Sequence, residues 1–425
     1  MSEIAVAYIG MTHLGVNSAV AAAARGMQVT CFDPDEEVVE ALNAGVPPVT
    51  EPQLEHFMRE NEERLTFTAD KASLRSADVA IVAPDVPTDD EGNSDLSGLK
   101  NLLALADTNL GPAIPLIVLS QVPPGFSRSL ALESGRPFYC QVETLIFGQA
   151  VERALNPERI IFGAAAPDAP IHPSYQAFLN RFDCPLLPMR YESAELAKIA
   201  INCCLVSSIS VANTLGELCE KIGADWSEIA PALKLDRRIG QYAYLSPGLG
   251  IAGGNLERDL NTVMRYASAY GTDAGAVEAW VRNSRYRRDW VLRLLHDQLL
   301  DYAPNPKIVV WGLAYKQDTH STKNSPALAL IDHLGAFGLS AYDPVVPVSA
   351  VLNRALEQKQ SALDACEGAD ILIIMTPWEE FKDTAPADIK AHMAGSIIVD
   401  PYGVLDTNAC TAQALQHFTL GRANV

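Results

Sequence analysis

The sequence predicts an α/β protein in which two open parallel-sheet domains flank a helical domain organised around one long spine helix. Three observations carry this prediction. Short apolar runs alternate with helical stretches from residue 3 to about 190. Between about 190 and 300 the pattern is helical throughout, and near 307 the strand–helix rhythm starts again. Strands separated by helices imply parallel pairing, with helices covering the sheet faces. The expected domains are residues 1–190, 191–300 and 301–425.

A chain of 425 residues is long enough for two to three domains with full cores. Apolar residues make up 48% and charged residues 20%, the composition of an ordinary globular protein. The formal net charge of -20 argues against nucleic acid as a partner, because phosphate backbones require clustered Lys and Arg. It also makes single cations worth following, since an anionic ligand must be held by few of them. The eight cysteines show no CxxC and no Cys/His ligand spacing, so neither a disulfide framework nor a metal site is expected. Reduced thiols in a cytoplasmic protein are the simple reading. The N-terminus carries no basic and apolar leader, and no stretch reaches about 18 uninterrupted apolar residues. Neither a signal peptide nor a membrane span is therefore expected.

Residues 3–9 read as a buried strand, Val16–Arg25 as an alanine-rich helix, and Val29–Asp33 as the next strand. The connecting loop is Gly10-Met-Thr-His-Leu-Gly15. Together these form a βαβ unit of the Rossmann-like kind, with Asp33 placed 23 residues past Gly10, close to the spacing of an acid on an adenosine ribose. Gly10 suits the tight turn and Gly15 the packing of helix on strand. Thr12 stands where the middle glycine would let backbone meet pyrophosphate, so the motif is degraded. An ordinary βα turn, with Asp33 capping it, is the alternative. Gly10, Thr12, His13, Leu14, Gly15 and Asp33 are the candidate cofactor contacts, His13 by position only.

Ala77–Ala83 and Ile114–Leu119 are further strands, leading into Val86-Pro-Thr88 and Ser120-Gln-Val-Pro-Pro-Gly125. Ligands of such sheets sit outside the C-terminal strand ends, which brings in Pro87, Thr88 and Gln121. Tyr139–Glu143 and Arg159–Gly163 complete the domain. Ser193 is a plausible N-cap for a helix running to Ile222, with Gly223 as its stop. Glu195, Lys198 and Asn202 recur on one face of it, a pattern that usually marks a solvated surface. The stretch Pro247–Asp259 packs four glycines into thirteen positions before a helix at Leu260–Tyr270, as where backbone must approach a ligand. Gly275–Gln298 gives another helix. In the last domain Lys307–Trp311, Leu339–Asp343, Ala369–Met375 and Ser396–Asp400 are strands, with a helix at Ser325–Gly335.

Several stretches, in order, carry a resemblance to the UDP-glucose/GDP-mannose dehydrogenase family. They are Asp95-Leu-Ser97, Val122-Pro-Pro-Gly125, Asn156-Pro-Glu-Arg-Ile160, Glu195-Leu-Ala-Lys-Ile-Ala-Ile-Asn202, Asp236-Arg-Arg-Ile-Gly240, the 247–259 loop, Gly312-Leu-Ala-Tyr-Lys-Gln-Asp-Thr319, Ser325-Pro326, Tyr342-Asp-Pro344 and Thr376-Pro-Trp-Glu-Glu-Phe381. The resemblance covers essentially the whole chain. It implies a cytoplasmic NAD-dependent oxidoreductase, dimeric through the central helix, that binds a UDP- or GDP-linked sugar between domains. Such enzymes oxidise the sugar's primary alcohol to a carboxylate, with two hydrides going to two successive NAD molecules. The first step needs a proton removed and an alkoxide stabilised. The second runs through a cysteine thiohemiacetal and thioester.

The resemblance also assigns residues. Lys198 and Asn202 match the pair that holds the oxyanion and a water, and Asp259 matches the acid that completes the set. Glu143 matches the base for thioester hydrolysis, beside the substrate contacts Thr144 and Leu145; Phe147 replaces a second glutamate. Gln121 replaces a water-orienting threonine. Arg238 matches a substrate arginine supplied by the partner subunit, Lys316 the lysine near the nucleotide, and Gly250 and Gly253 the substrate loop. Lys323 stands where an arginine is usual near the cofactor, keeping charge but losing the fork. Asp400-Pro-Tyr-Gly403 replaces Asp-Gly-Arg-Asn, so one expected cation is missing. Above all, the family's Gly-Gly-Ser-Cys-Phe-x-Lys-Asp has its cysteine four residues before the aspartate; counted back from Asp259 in Gly253-Gly-Asn-Leu-Glu-Arg-Asp259, that position is Asn255. An amide is neither a competent nucleophile nor a useful leaving group. Three readings follow: a two-electron alcohol/carbonyl enzyme, a full oxidation through the hydrated aldehyde, or a non-catalytic protein that binds nucleotide sugar and NAD. Cys203 and Cys204 adjoin Asn202 but point away from its face, and are expected to be buried packing thiols.

Overall fold

In a computed structural model that describes residues 4–89, 92–130, 135–299, 306–335, 337–350 and 356–423, the chain forms two compact units, Met1–Ile201 and Asn202–Val425. Glu3, expected to open the first strand, lies outside the described residues.

The first unit is built on β1 (Ala5–Ile9), β2 (Gln28–Phe32), β3 (Leu65–Thr68), β4 (Val79–Val82), β5 (Leu116–Val118), β6 (Phe138–Gln141), β7 (Ile160–Ala164) and β8 (Leu186–Arg190). Among the described residues they make one sheet in the order β3-β2-β1-β4-β5-β6-β7-β8. All neighbours pair in parallel except β6 and β7, which are antiparallel through Cys140↔Gly163. The sheet is buried on both faces, and β1 shows why its sequence reads as an unbroken apolar run. Val6 and Tyr8 pack into one core, Ala7 and Ile9 into the core on the opposite face. The helix His13–Ala24 follows β1 and starts three residues earlier than its alanine pattern suggests. The strand order reverses between β1 and β4, which is where such sheets bind ligands.

The second unit carries the smaller sheet: β9 (Ile308–Trp311), β10 (Leu339–Tyr342), β11 (Leu356–Gln358), β12 (Ile371–Ile374), β13 (Ile397–Val399) and β14 (Gln416–Phe418), in the order β11-β10-β9-β12-β13-β14. Every described pair in it is parallel. A mixed α/β architecture with two parallel-sheet domains and a helical central region is thus established.

The spine helix runs Tyr191–Ile222. It begins directly at the end of β8, so Ser193 lies inside it and is not its cap. Gly223, at φ +78°, ends it as expected. The helix Asn255–Tyr270 starts five residues before the expected Leu260, taking Asn255 and Asp259 into its first turns. The next stretch is broken rather than continuous: Gly275–Arg288, Trp290–Leu294, and a wider turn at Leu295–Leu299. The spine helix holds an 18-residue window of mean hydropathy 1.5, long and apolar enough by those measures to cross a membrane. Polar residues interrupt the helix, so it does not register as an uninterrupted apolar run.

Within the second unit, residues near the end of the sequence return to the end of the spine helix. Gly421 donates its N–H to Glu220 Oε1 at 3.0 Å and accepts from Trp226 N–H at 2.9 Å. Arg422 pairs with Asp225 at 2.9 Å.

Candidate active site

The first unit gathers most of the sequence-predicted cofactor contacts at the ends of β1 and β2. Gly10 adopts φ +94°, and a Cβ on Gly15 would lie 1.8 Å from the Gly10 carbonyl oxygen, so both glycines are required by the turn and by close packing. Asp33 is buried at the end of β2; its Oδ2 accepts from Met11 N–H at 2.7 Å and its Oδ1 from Asp35 N–H at 3.0 Å. The carboxylate thus ties the loop to the adjacent turn while keeping free lone pairs. Thr12 is the N-cap residue of the His13–Ala24 helix, yet its side chain makes no capping bond there. His13 is tied into the fold: Nε2 lies 2.8 Å from Glu51 Oε1, and the ring stacks on Phe147 at 4.0 Å between centroids. Burial works against the charge of Glu51. The His13 bond and the N–H groups of Gly148 and Ala150 outweigh it and hold that carboxyl below its usual range. Pro87 accepts from Asp95 N–H at 2.9 Å, and Thr88 bridges Ser94, so these two shape the turn after β4.

Beyond β5 and β6 lies a cleft of about 290 Å³ lined by Gln121, Gln141, Glu143, Glu195 and Lys198. Lys198 Nζ sits 2.8 Å from Glu143 Oε1, with each side chain 14% exposed. Glu143 Oε2 accepts from Leu145 N–H at 2.9 Å, and the Thr144 carbonyl accepts from Arg153 Nε at 2.8 Å, which fixes this turn. The face bearing Glu195, Lys198 and Asn202 is buried rather than solvated. Glu195 accepts from the N–H groups of Gly125 and Ser127 at 2.6 and 2.8 Å, and burial raises its carboxyl against those bonds. It anchors the Val122–Gly125 loop, a long-range role with no local signal in the sequence. Glu51 is likewise invisible there, since its partners lie 38 and 97 residues away.

The second unit holds the remaining candidates. Asn202, one helical turn past Lys198 on the spine helix, donates from Nδ2 to Asp259 Oδ2 at 2.5 Å, both side chains being buried. Arg258, in place of the family lysine, is buried too and approaches Asp259 Oδ1 at 3.4 Å. Asn255 is exposed as the first residue of the Asn255–Tyr270 helix. The loop before it is set by the chain itself: Gly248 N–H binds the buried Asn213, and Ile251 N–H binds Ser284 Oγ, each at 2.7 Å. Gly250 has φ +76°, and a Cβ added there would lie only 2.3 Å from the Ser284 carbonyl oxygen; Gly253 (φ +79°) abuts Tyr315. Internal packing therefore already accounts for these two glycines. Gly253 N–H also binds the Lys323 carbonyl at 3.1 Å, and Asn324 Nδ2 bonds Gly253 O and Glu257. Lys316 lies 5.9 Å from the centre of the Tyr315 ring. Arg238, 88% exposed, forms a two-pronged bond with Asp236 two residues earlier, at 3.0 and 2.6 Å. Cys203 is half-buried, and its thiol is pushed up to about 11 by burial and by the Asp259 charge. Cys204 is exposed, contrary to the expectation of two buried thiols.

The glycine turn, the helix N-terminus and the strand-end acid Asp33 fit a dinucleotide, and the carboxamide of Asn17 in that helix keeps one buried oxygen without a partner. Within the first unit the Lys198 ammonium, and within the second the Asn202 amide, is a donor held in place by a neighbouring carboxylate.

Residues 4–173, 192–285 and 309–407 match, respectively, the NAD binding, central and UDP binding domains of the UDP-glucose/GDP-mannose dehydrogenase family. The chain is 29% identical to the UDP-glucose 6-dehydrogenase TuaD of Bacillus subtilis, over 100% of this chain and 94% of that protein. It is also 29% identical to a UDP-glucose 6-dehydrogenase of Pseudomonas aeruginosa over 92% of each. Among solved structures, a UDP-glucose dehydrogenase from Pyrobaculum islandicum superposes with a TM-score of 0.86 at 25% identity, covering 99% of this chain and 98% of the other.

Proposed function

The chain belongs to the UDP-glucose/GDP-mannose dehydrogenase family, and on that premise we propose that it catalyses one two-electron step between alcohol and carbonyl on a UDP- or GDP-linked sugar. Its cofactor is NAD, and the UDP binding domain makes a nucleotide sugar its substrate class. When bound, the nicotinamide supplies the hydride acceptor. Gly10, Thr12, His13, Leu14, Gly15, Asp33, Pro87, Thr88, Gln121 and Lys323 are proposed to hold it. Thr144, Leu145, Arg238, Gly250, Gly253 and Lys316 are proposed to hold the sugar nucleotide.

The observation that carries the proposal is the uneven survival of the chemistry. Lys198 keeps a carboxylate partner at 2.8 Å and Asn202 keeps Asp259 at 2.5 Å. The Lys198 ammonium stabilises negative charge on the sugar oxygen as its proton passes to water, and Asp259 fixes the Asn202 amide as a second polar contact. The exposed amide of Asn255 provides no route to a thioester. Glu143 favours a second reading, in which it activates a hydrated aldehyde and carries oxidation through to a uronate.

The deciding experiment counts NADH formed per nucleotide sugar consumed and identifies the product by mass. One equivalent with a carbonyl product is expected. Two equivalents with a uronate establish the second reading. Ligand binding in calorimetry without turnover on any UDP- or GDP-sugar would make the protein a non-catalytic binder.

The segments 1–190, 191–300 and 301–425 are proposed as cofactor, dimerisation-and-substrate, and nucleotide-sugar domains, which the boundaries of the three family matches support. A homodimer through the spine helix is supported by an uncovered apolar stripe of Val211, Leu215, Leu218 and Ile222. A reducing, cytoplasmic location is supported by eight free cysteines.

A further inference from the structure

The N-terminus of the His13–Ala24 helix is where a dinucleotide diphosphate gains most from backbone N–H groups. In this chain an anion is already there. The turn after β4 carries Asp85, whose Oδ2 lies 3.4 Å from Leu14 N–H. The same turn is tied down by Thr12, whose Oγ1, instead of capping its own helix, accepts from the Asp85 backbone N–H at 2.7 Å. Thus the residue that replaces the middle glycine of the loop also fixes the acid beside the helix start. Asp85 is exposed and its bond to Leu14 is long, so its carboxylate is a weak and displaceable occupant. The nearby acids have other commitments: Asp33 to Met11 and Asp35, and Glu51 to His13, Gly148 and Ala150.

We propose that Asp85 is an affinity-determining residue for the cofactor, its carboxylate competing with the diphosphate of NAD for the start of the His13–Ala24 helix. Binding then requires the Asp85 side chain to swing aside, and the protein holds NAD more loosely than its fold allows. The inference rests on the assignment of this domain to NAD.

The test uses the full chain and titrates NADH by fluorescence, and ADP-ribose and adenosine by calorimetry, against the parent, Asp85→Asn and Asp85→Glu. Asp85→Asn is expected to bind NADH and ADP-ribose roughly two- to fivefold more tightly, the scale of one exposed charge at a helix terminus. Adenosine, which has no phosphate, is expected to bind all three proteins equally, and Asp85→Glu to behave as the parent. Equal NADH affinity in parent and Asp85→Asn overturns the role of Asp85 and leaves the NAD assignment standing. Equal tightening for adenosine and ADP-ribose also overturns it, because the substitution would then have opened the loop rather than removed a competing charge. Failure of the parent and every variant to bind NADH removes the NAD assignment and this proposal with it.

Discussion

Lys198→Met separates the chemical from the structural role of the best-formed ion pair in the first unit. With Nζ 2.8 Å from Glu143 Oε1, the gross attraction is about 6 kcal/mol at an effective dielectric of ~20. Both side chains are mostly withdrawn from water, so desolvation cancels much of it and the net contribution to folding is about 2 kcal/mol. Glu143 keeps the Leu145 N–H, which limits the damage when the lysine is lost. For a domain of this size the loss lowers Tm by roughly 4–8 °C. A fixed donor to a developing oxyanion is worth more, roughly 10²–10³ in kcat. The variant is therefore expected to be folded, to bind NADH as the parent does, and to lose alcohol oxidation by two to three orders of magnitude (on that same scale). Calorimetric unfolding, NADH titration and initial rates of NADH formation measure the three quantities. A kcat within about threefold of the parent alongside the expected Tm drop would refute the argument, because Lys198 would then be only a structural partner of Glu143.

Asn255→Cys restores the missing nucleophile type; NADH formed per sugar is expected to rise from one toward two, with a uronate in the product, and an unchanged ratio would show that more than the nucleophile is missing. Gly250→Ala is expected to cost about 3 kcal/mol or more in urea unfolding, since positive φ and backbone overlap act together. Gly26→Ala, at φ +80° with nothing within 4 Å, is expected to cost only about 1–2 kcal/mol. Glu257→Gln tests pH linkage: burial raises the Glu257 carboxyl, with Arg288, Arg285 and Lys323 only partly opposing it. Between its ordinary and raised pKa the native state binds the extra proton, so the charged form costs stability above that window. The variant is expected to be more stable than the parent at neutral pH, with the advantage fading in acid; the reverse trend would show that the cations dominate. Val211→Glu with Leu218→Glu is expected to shift light-scattering mass from dimer to monomer.

Much of this fold is visible in local pattern. The inner strands of both sheets are short apolar runs buried on both faces, glycines 10 and 223 announce turns that backbone geometry then demands, and Gly15 a close packing. Short strands such as Leu65–Thr68, Leu186–Arg190 and Gln416–Phe418 are absent from that reading because they lie at or near sheet edges, half-exposed and weakly patterned. The site divides the same way. Lys198, Asn202 and Asp259 can be named because they stand in recognisable strings. The working contacts cannot: Glu143, itself named from such a string, pairs with Lys198, and Glu195 and Glu51 likewise act through partners dozens of residues away. The buried face of the spine helix misleads for the same reason: charge at i and i+3 looks solvated until the folded chain brings partners to it. The helix start at Asn255 is hidden because Gly253 and Gly254 look like a loop that continues, whereas Gly254 ends it.

Gly421 meets the end of the spine helix across 201 residues of intervening chain. Closing so long a loop costs about 5 kcal/mol of chain entropy before its bonds to Glu220 and Trp226 return anything. That closure therefore belongs late on the folding pathway of the second unit, after its sheet has formed and drawn the two segments near each other. Changes at Gly421, Glu220 or Arg422 then act on the lifetime of the folded unit, speeding its opening while leaving the rate at which it forms almost untouched.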